Sequence, residues 1–176
     1  MSTRRKPMKR RVRNKLKKRH RQELVRAIYE GHFEKVKRLV QSNSDANYKD
    51  EGGWTLLHWA TQERKTEIIQ FLLSKGADIN DRDYEGFSPL YQAASEGCIE
   101  LVQFLLNNSA EIDIKSIDGT TPLIIASCFG NLETVEYLVE RGADINIKDD
   151  KGNTALSFAE KYGNEQVALF LKEQSS

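Results

Sequence analysis

Residues 53–60 read GWTLLHWA, and text of the same kind returns as GFSPLYQA at 86–93, GTTPLIIA at 119–126 and GNTALSFA at 152–159. The leading glycines, Gly53, Gly86, Gly119 and Gly152, stand 33 residues apart. A second block recurs in register: IIQFLLSKGADIN at 68–80, LVQFLLNNSAEID at 101–113 and VEYLVERGADIN at 135–146. A fixed period of this length marks a solenoid, whose units are each too small to bury an apolar face and therefore stack on their neighbours.

Each unit carries its own helix signals. Thr55, Ser88, Thr121 or Thr154 precedes a short apolar stretch and suits an N-cap, and Pro89 and Pro122 suit the first turn that follows. The inner helix so predicted ends at Gly97, Gly130 or Gly163, where a positive φ is tolerated. An outer helix follows with apolar pairs such as Leu101, Val102, Leu105 and Leu106, and Gly76 or Gly142 closes it. Ser109 takes the place of that closing glycine in one unit and Asn43 in the first. Asn enters the left-handed region more readily than Ser, so the 107–110 turn is predicted to be the weak one.

The pattern resembles the ankyrin repeat over residues 23–176. The resemblance implies an all-α solenoid of about five stacked helix-turn-helix units with projecting β-hairpin loops. Its divisions would be an N-terminal cap at 23–52, repeats at 53–85, 86–118 and 119–151, and a C-terminal cap at 152–176. Residues 1–22 precede the array as a basic tail, flexible or extending the first helix. Met8, Val12, Leu16, His20, Leu24 and Ile28 recur every fourth residue, as such an extension requires.

Composition agrees with an ordered, soluble chain: 176 residues, 39% apolar and 30% charged. Cys98 and Cys128 form no C-x-x-C pair and no disulfide framework. No apolar run reaches the roughly 20 residues that span a bilayer, and the basic N-terminus leads into no signal-peptide core. An intracellular protein, cytoplasmic or nuclear, monomeric and without a membrane span, is expected.

Chemistry is sparse. His20, His32 and His58 converge with no cysteine, whereas a zinc site takes about four ligands. His58 fills the histidine of the family's T-P-L-H element and is read as structural, and Cys128 has no activating base near it in sequence. Phosphate-binding loops and nucleophile elbows are absent. Asp149 and Asp150 pair on a hairpin, where they are read as a solvated tip. No catalytic residue, metal or cofactor is assigned, and the chain is expected not to be an enzyme.

In the family, partners are met at the hairpin tips and on the concave face of the inner helices. The matching free positions here hold Glu51, Trp54, Gln62 and Glu63, then Tyr84, Glu85, Phe87 and Glu96, then Ile117, Asp118, Thr120, Cys128 and Phe129, and last Tyr162. Trp54, Tyr84, Phe87, Ile117, Phe129 and Tyr162 are read as free of framework packing and as the anchors of an interface. The acids between them favour a partner protein with a basic and apolar segment. Asn47, Asn80 and Asn146 follow Asp-Ala or Asp-Ile with Leu eight residues before, a context similar to asparagine hydroxylation sites in ankyrin repeats; bracing of the turn is the alternative role.

The tail holds twelve of the 27 Lys and Arg side chains and none of the 26 acids: Arg4, Arg5, Lys6, Lys9, Arg10, Arg11, Arg13, Lys15, Lys17, Lys18, Arg19 and Arg21. After residue 22 the balance reverses, 15 basic against 26 acidic side chains. Three roles fit such a tail: an import-receptor signal in KRRVR and KKRHR, a nucleic-acid arm lacking aromatic residues for stacking, or an inert extension. Tethered to an acidic array, it is also expected to shield the concave face weakly at low salt.

Overall fold

The computed structural model describes the backbone of residues 10–175, with the side chains of Leu16 and of residues 18–175. Arg4, Arg5, Lys6 and Lys9 lie outside the described residues, as do the side chains of Arg10, Arg11, Arg13, Lys15 and Lys17. Eleven helices are described and no strand. Inner helices are α1 (Arg10–Tyr29), α4 (Leu56–Gln62), α6 (Pro89–Ser95), α8 (Pro122–Phe129) and α10 (Ala155–Lys161). Outer helices are α2 (Phe33–Leu39), α5 (Thr66–Ser74), α7 (Ile99–Asn107), α9 (Leu132–Glu140) and α11 (Glu165–Gln174), while α3 (Asn43–Ala46) is a single turn between units. Each inner helix packs on its own outer helix and on the next inner helix along the chain.

The caps form where the hydroxyls stand. Thr55, Ser88, Thr121 and Thr154 are extended and accept the backbone N–H three residues on, from His58, Tyr91, Ile124 and Ser157. One fully buried alanine recurs at each step, Ala27, Ala60, Ala93, Ala126 and Ala159, inside a single apolar cluster. With no side chain beyond Cβ, these positions let successive inner helices approach. Leu57, Leu90 and Leu123 and, from the outer layer, Ile69, Val102 and Val135 fill the space around them.

Hydrogen bonds tie the units at the same period. Asn47 Oδ1 accepts from Asp78 N–H at 2.9 Å, Asn80 Oδ1 from Glu111 N–H at 2.9 Å, and Asp113 Oδ1 from Asp144 N–H at 3.2 Å. Asn47 and Asn80 therefore brace the following unit rather than their own β-turn. At the tips, Ile117 N–H donates to Glu85 O at 3.0 Å and Asp150 N–H to Asp118 O at 2.9 Å. That approach is close enough that a Cβ on Gly86, at φ +82°, would lie 2.6 Å from Ile117 N.

Several local expectations change. The projecting loops hold one isolated bridge, Lys49–Thr55, and are otherwise tight turns braced by an acid. Asp50 accepts from Gly52 and Trp54 N–H, Asp83 from Glu85 and Phe87 N–H, and Asp149 from Lys151 and Asn153 N–H. Asp149 is accordingly buried, not part of a solvated tip; Asp150 alone is exposed. Asn43 does not adopt the left-handed region. Ser42 and Asp45 form a capping box that makes Asn43 the first residue of α3, with its Nδ2 donating to Gly76 O at 2.8 Å. Ser109 does adopt it, at φ +70°, and so does Arg64, at φ +51°, in the turn where other units have glycine.

His58 joins two repeats. Thr55 N–H donates to its Nδ1 at 3.1 Å, and its Nε2 lies 2.8 Å from the Phe87 carbonyl oxygen. The carbonyl can only accept, which assigns the proton to Nε2 and makes the ring neutral. Burial holds its pKa below the ordinary value, against the smaller raising effect of the Phe87 carbonyl.

Backbone strain and histidine burial each have a measurable consequence. A left-handed non-glycine residue costs about 1–2 kcal/mol, partly offset by the entropy glycine would lose on folding. Arg64→Gly and Ser109→Gly should each stabilise the fold by about 0.5–1 kcal/mol, a rise of about 1–4 °C in Tm by thermal unfolding. His58 in the unfolded chain titrates at about 6.5 and lower in the folded one, so the unfolded chain binds the extra proton. The stability it contributes is present above that pH and lost as pH falls through it. Urea midpoints between about pH 8 and pH 5 should fall less steeply in His58→Gln than in the wild type.

Candidate interaction surface

The register that builds the stack also decides which side chains meet on its inner side. Trp54 and Phe87 each enter an inner helix just ahead of its cap, so their rings lie back over that helix. Trp54 sits 4.8 Å from Trp59 and 6.0 Å from His58, centroid to centroid. Phe87 stacks on Tyr91 at 4.4 Å with only 6° between the planes. Both are half-buried. Neither is free of packing, contrary to expectation, because the turn-bracing acids Asp50 and Asp83 fold each loop back onto its helix.

The packed rings form one wall of a groove. Trp54, His58, Gln62, Phe87, Tyr91, Gln92, Glu96, Ile125 and Phe129 enclose a cavity of about 320 Å³ between α4, α6 and α8. Phe129, at the end of α8, keeps 62% of its surface exposed. Gln92 is buried; its Nε2 donates to Gln62 Oε1, and its own Oε1 finds no donor among the described residues. An orphaned acceptor of this kind costs about 1–3 kcal/mol. Asp83 and Glu96 are the acids of the lining, which holds no lysine or arginine. Arg64 approaches Glu96 from outside at 3.8 Å.

Of the expected contact residues along the tips, Glu51, Tyr84 (63%), Glu85, Ile117 (68%) and Asp118 are exposed, with Arg82, Asp150 and Lys151 exposed beside them. Asp118 is engaged locally: Ser116 Oγ donates to it at 2.6 Å and holds its carboxyl below the usual range, with Thr120 assisting against the opposing effect of burial. Thr120 itself is buried and lies outside any free surface. Glu63 ends α4 half-buried, and Tyr162 stacks on Phe158 at 6.2 Å in the last unit. Three places thus receive the expected contact residues: the groove, the tip row and the far end. Cys128 is half-buried, and burial raises its thiol pKa.

A wider cleft opens where the first unit departs from the others. In place of a projecting loop, α1 runs straight through residue 22, and its basic half lies beside the turn at 48–52. Arg21 stacks over Tyr48 at 4.3 Å, and Lys18 Nζ reaches Glu51 Oε1 at 3.1 Å. Tyr29, Trp59 and Tyr84 complete a cleft of about 1050 Å³. The described part of the tail therefore meets the array at its N-terminal edge.

Gln92, Ile125, Tyr48 and Trp59 line these cavities although the free positions of the family's repeat do not include them. For Gln92 a signal was present in the sequence: the 33-residue step aligns it with Trp59, Ile125 and Phe158, and an amide in an apolar column is out of place.

Among the described residues no helix is long and apolar enough to cross a membrane, and no group of three or more His, Cys, Asp or Glu could hold a metal ion. No curated protein matches the chain. The family model for ankyrin repeats, in three copies, matches residues 24–116 and 110–176. Ankyrin repeats are generally protein–protein interaction modules and typically non-enzymatic. With the period, the caps, the stacked helix pairs and a match that spans nearly everything after the tail, the chain belongs to the ankyrin repeat family.

Proposed function

We propose that this chain binds a partner protein through the groove of Trp54, Phe87 and Phe129, with Glu51, Tyr84, Glu85 and Ile117 on the tips meeting the partner's flanks. The observation that carries this is the exposure of Phe129, Ile117 and Tyr84, each above 60%, beside a groove walled by rings. Large apolar side chains held in water contribute little to folding and much to an interface. Asp118 supports its turn more than the partner, and Tyr162, in the last unit, lies beyond the groove. No enzymatic step is part of the proposal.

A second reading is favoured by α1. A helix over Arg10–Tyr29 carries the basic residues Arg10, Arg11, Arg13, Lys15, Lys17, Lys18, Arg19 and Arg21 on one continuous element. That suits a polyanion arm, with the repeats recruiting a protein.

Panning a random heptapeptide display library against the full chain tests the first. Recovered peptides should bind Phe129→Ala about tenfold more weakly, or 1.4 kcal/mol, with unfolding unchanged because the ring is exposed. No enrichment over an unrelated protein, or equal binding to the variant, would overturn it. Titration of labelled duplex and single-stranded DNA near physiological salt tests the second. Replacing Arg10, Arg11, Arg13, Lys15 and Lys17 by Gln should abolish binding if the arm operates.

A further inference from the structure

Resting on the groove proposed above, we infer that its anchor is an arginine side chain of the partner, seated between Trp54, Phe87 and Phe129 with its guanidinium donating to Gln92 and Glu96. Three independent features of the groove select that chemistry. The first is an acceptor in want of a donor. Gln92 is only 9% exposed, its Nε2 is committed to Gln62, and its Oε1 has no donor among the described residues. Oε1 itself is closed to water in this structure, so a ligand that brings N–H groups completes this residue by drawing the amide toward the groove; an aliphatic or aromatic side chain leaves it orphaned.

The second is charge. Asp83 and Glu96 line the groove with no lysine or arginine, and the one titratable nitrogen heterocycle there, His58, is neutral with its proton given to the Phe87 carbonyl. Asp83 is engaged by the N–H groups of Glu85 and Phe87, which leaves Glu96, its side chain 26% exposed, as the lining carboxylate open to a cation. Arg64 already approaches Glu96, but at 3.8 Å and on a solvent-exposed side chain, a contact that an incoming guanidinium can replace.

The third is shape. The walls are largely aromatic, and a planar, weakly hydrated guanidinium packs on aromatic rings while its edge donates in plane; a compact, strongly hydrated ammonium does neither as well. The cavity, about 320 Å³, accommodates one long side chain with a neighbouring apolar residue, which agrees with a basic and apolar segment.

The probe is N-acetyl-arginine amide, compared with the lysine and citrulline amides and titrated into the full chain. Binding is followed by the NMR signals of the Gln92 side-chain amide and the Trp54 indole. Saturable shifts of both are expected with the arginine amide at millimolar concentration, at least about fivefold tighter than with lysine or citrulline. Gln92→Leu, which keeps the shape and removes the acceptor, should lose that preference while melting no lower than the wild type. No saturable shift, or citrulline binding as well as arginine, would overturn the assignment. If peptides sensitive to Phe129→Ala are recovered by panning and none depends on arginine, the groove survives and its arginine anchor falls. If neither peptide nor amide binds, both fall. Tighter binding of the amide after Arg4 and Arg5 are replaced by Ala would show that the chain's own tail occupies the pocket, which overturns the partner as its source.

Discussion

Close approach of successive inner helices is the constraint on which the remainder of the array depends. It is met at Ala27, Ala60, Ala93, Ala126 and Ala159, all fully buried. Added volume at any of them would wedge two units apart, and interiors at crystal-like density have no slack to absorb it. Once the helices sit at that spacing, the longer-range bonds fall into place. Asn47, Asn80 and Asp113 each reach the backbone of the following unit, and Asn131 and Asn164 donate to the carbonyls that end the preceding inner helix. One small side chain per period thus sets the spacing at which both sets of hydrogen bonds form.

Such a framework was largely legible in the text of the chain because it is periodic. Glycine, hydroxyl cap, proline and paired leucines recur, and each recurrence restates the same local physics. What could not be read was aperiodic. Arg64 occupies a left-handed turn that its side chain gives no reason to expect, held there because the neighbouring units impose their geometry on it. Asn43 failed as a substitute for glycine because Ser42, with Asp45 three residues on, offered a capping box that the turn accepted instead. Position within a repeat likewise said which side chains face the concave side, but not that Asp50 and Asp83 would pull Trp54 and Phe87 down onto their own helices.

That folding back changes what the aromatic residues can do. A ring free in solvent gives a partner area at the expense of its own ordering; a ring already packed on Trp59 or Tyr91 is ordered before anything binds. The half-buried pair is therefore the rigid wall of the proposed site, and Phe129, still exposed, is the side chain left to adapt. Gln62 and Gln92 span the floor between α4 and α6, so two consecutive repeats must be correctly stacked for the site to exist at all.

Electrostatics divides the same face in two. At the N-terminal edge α1 brings Lys18 and Arg21 against Glu51 and Tyr48, so the first tip is already answered by the chain itself. Farther along, the groove has acids and no fixed cation inside it. Exposed ion pairs such as Lys18–Glu51 are individually weak and screened by salt, so the tail can neutralise the edge without holding it shut. Groups that are desolvated behave differently: the orphaned Gln92 acceptor and the aromatic walls are not screened by salt. In the proposed complex salt would therefore govern how a partner approaches the acidic array, while the stacked repeats around Gln92 would select the side chain that anchors it.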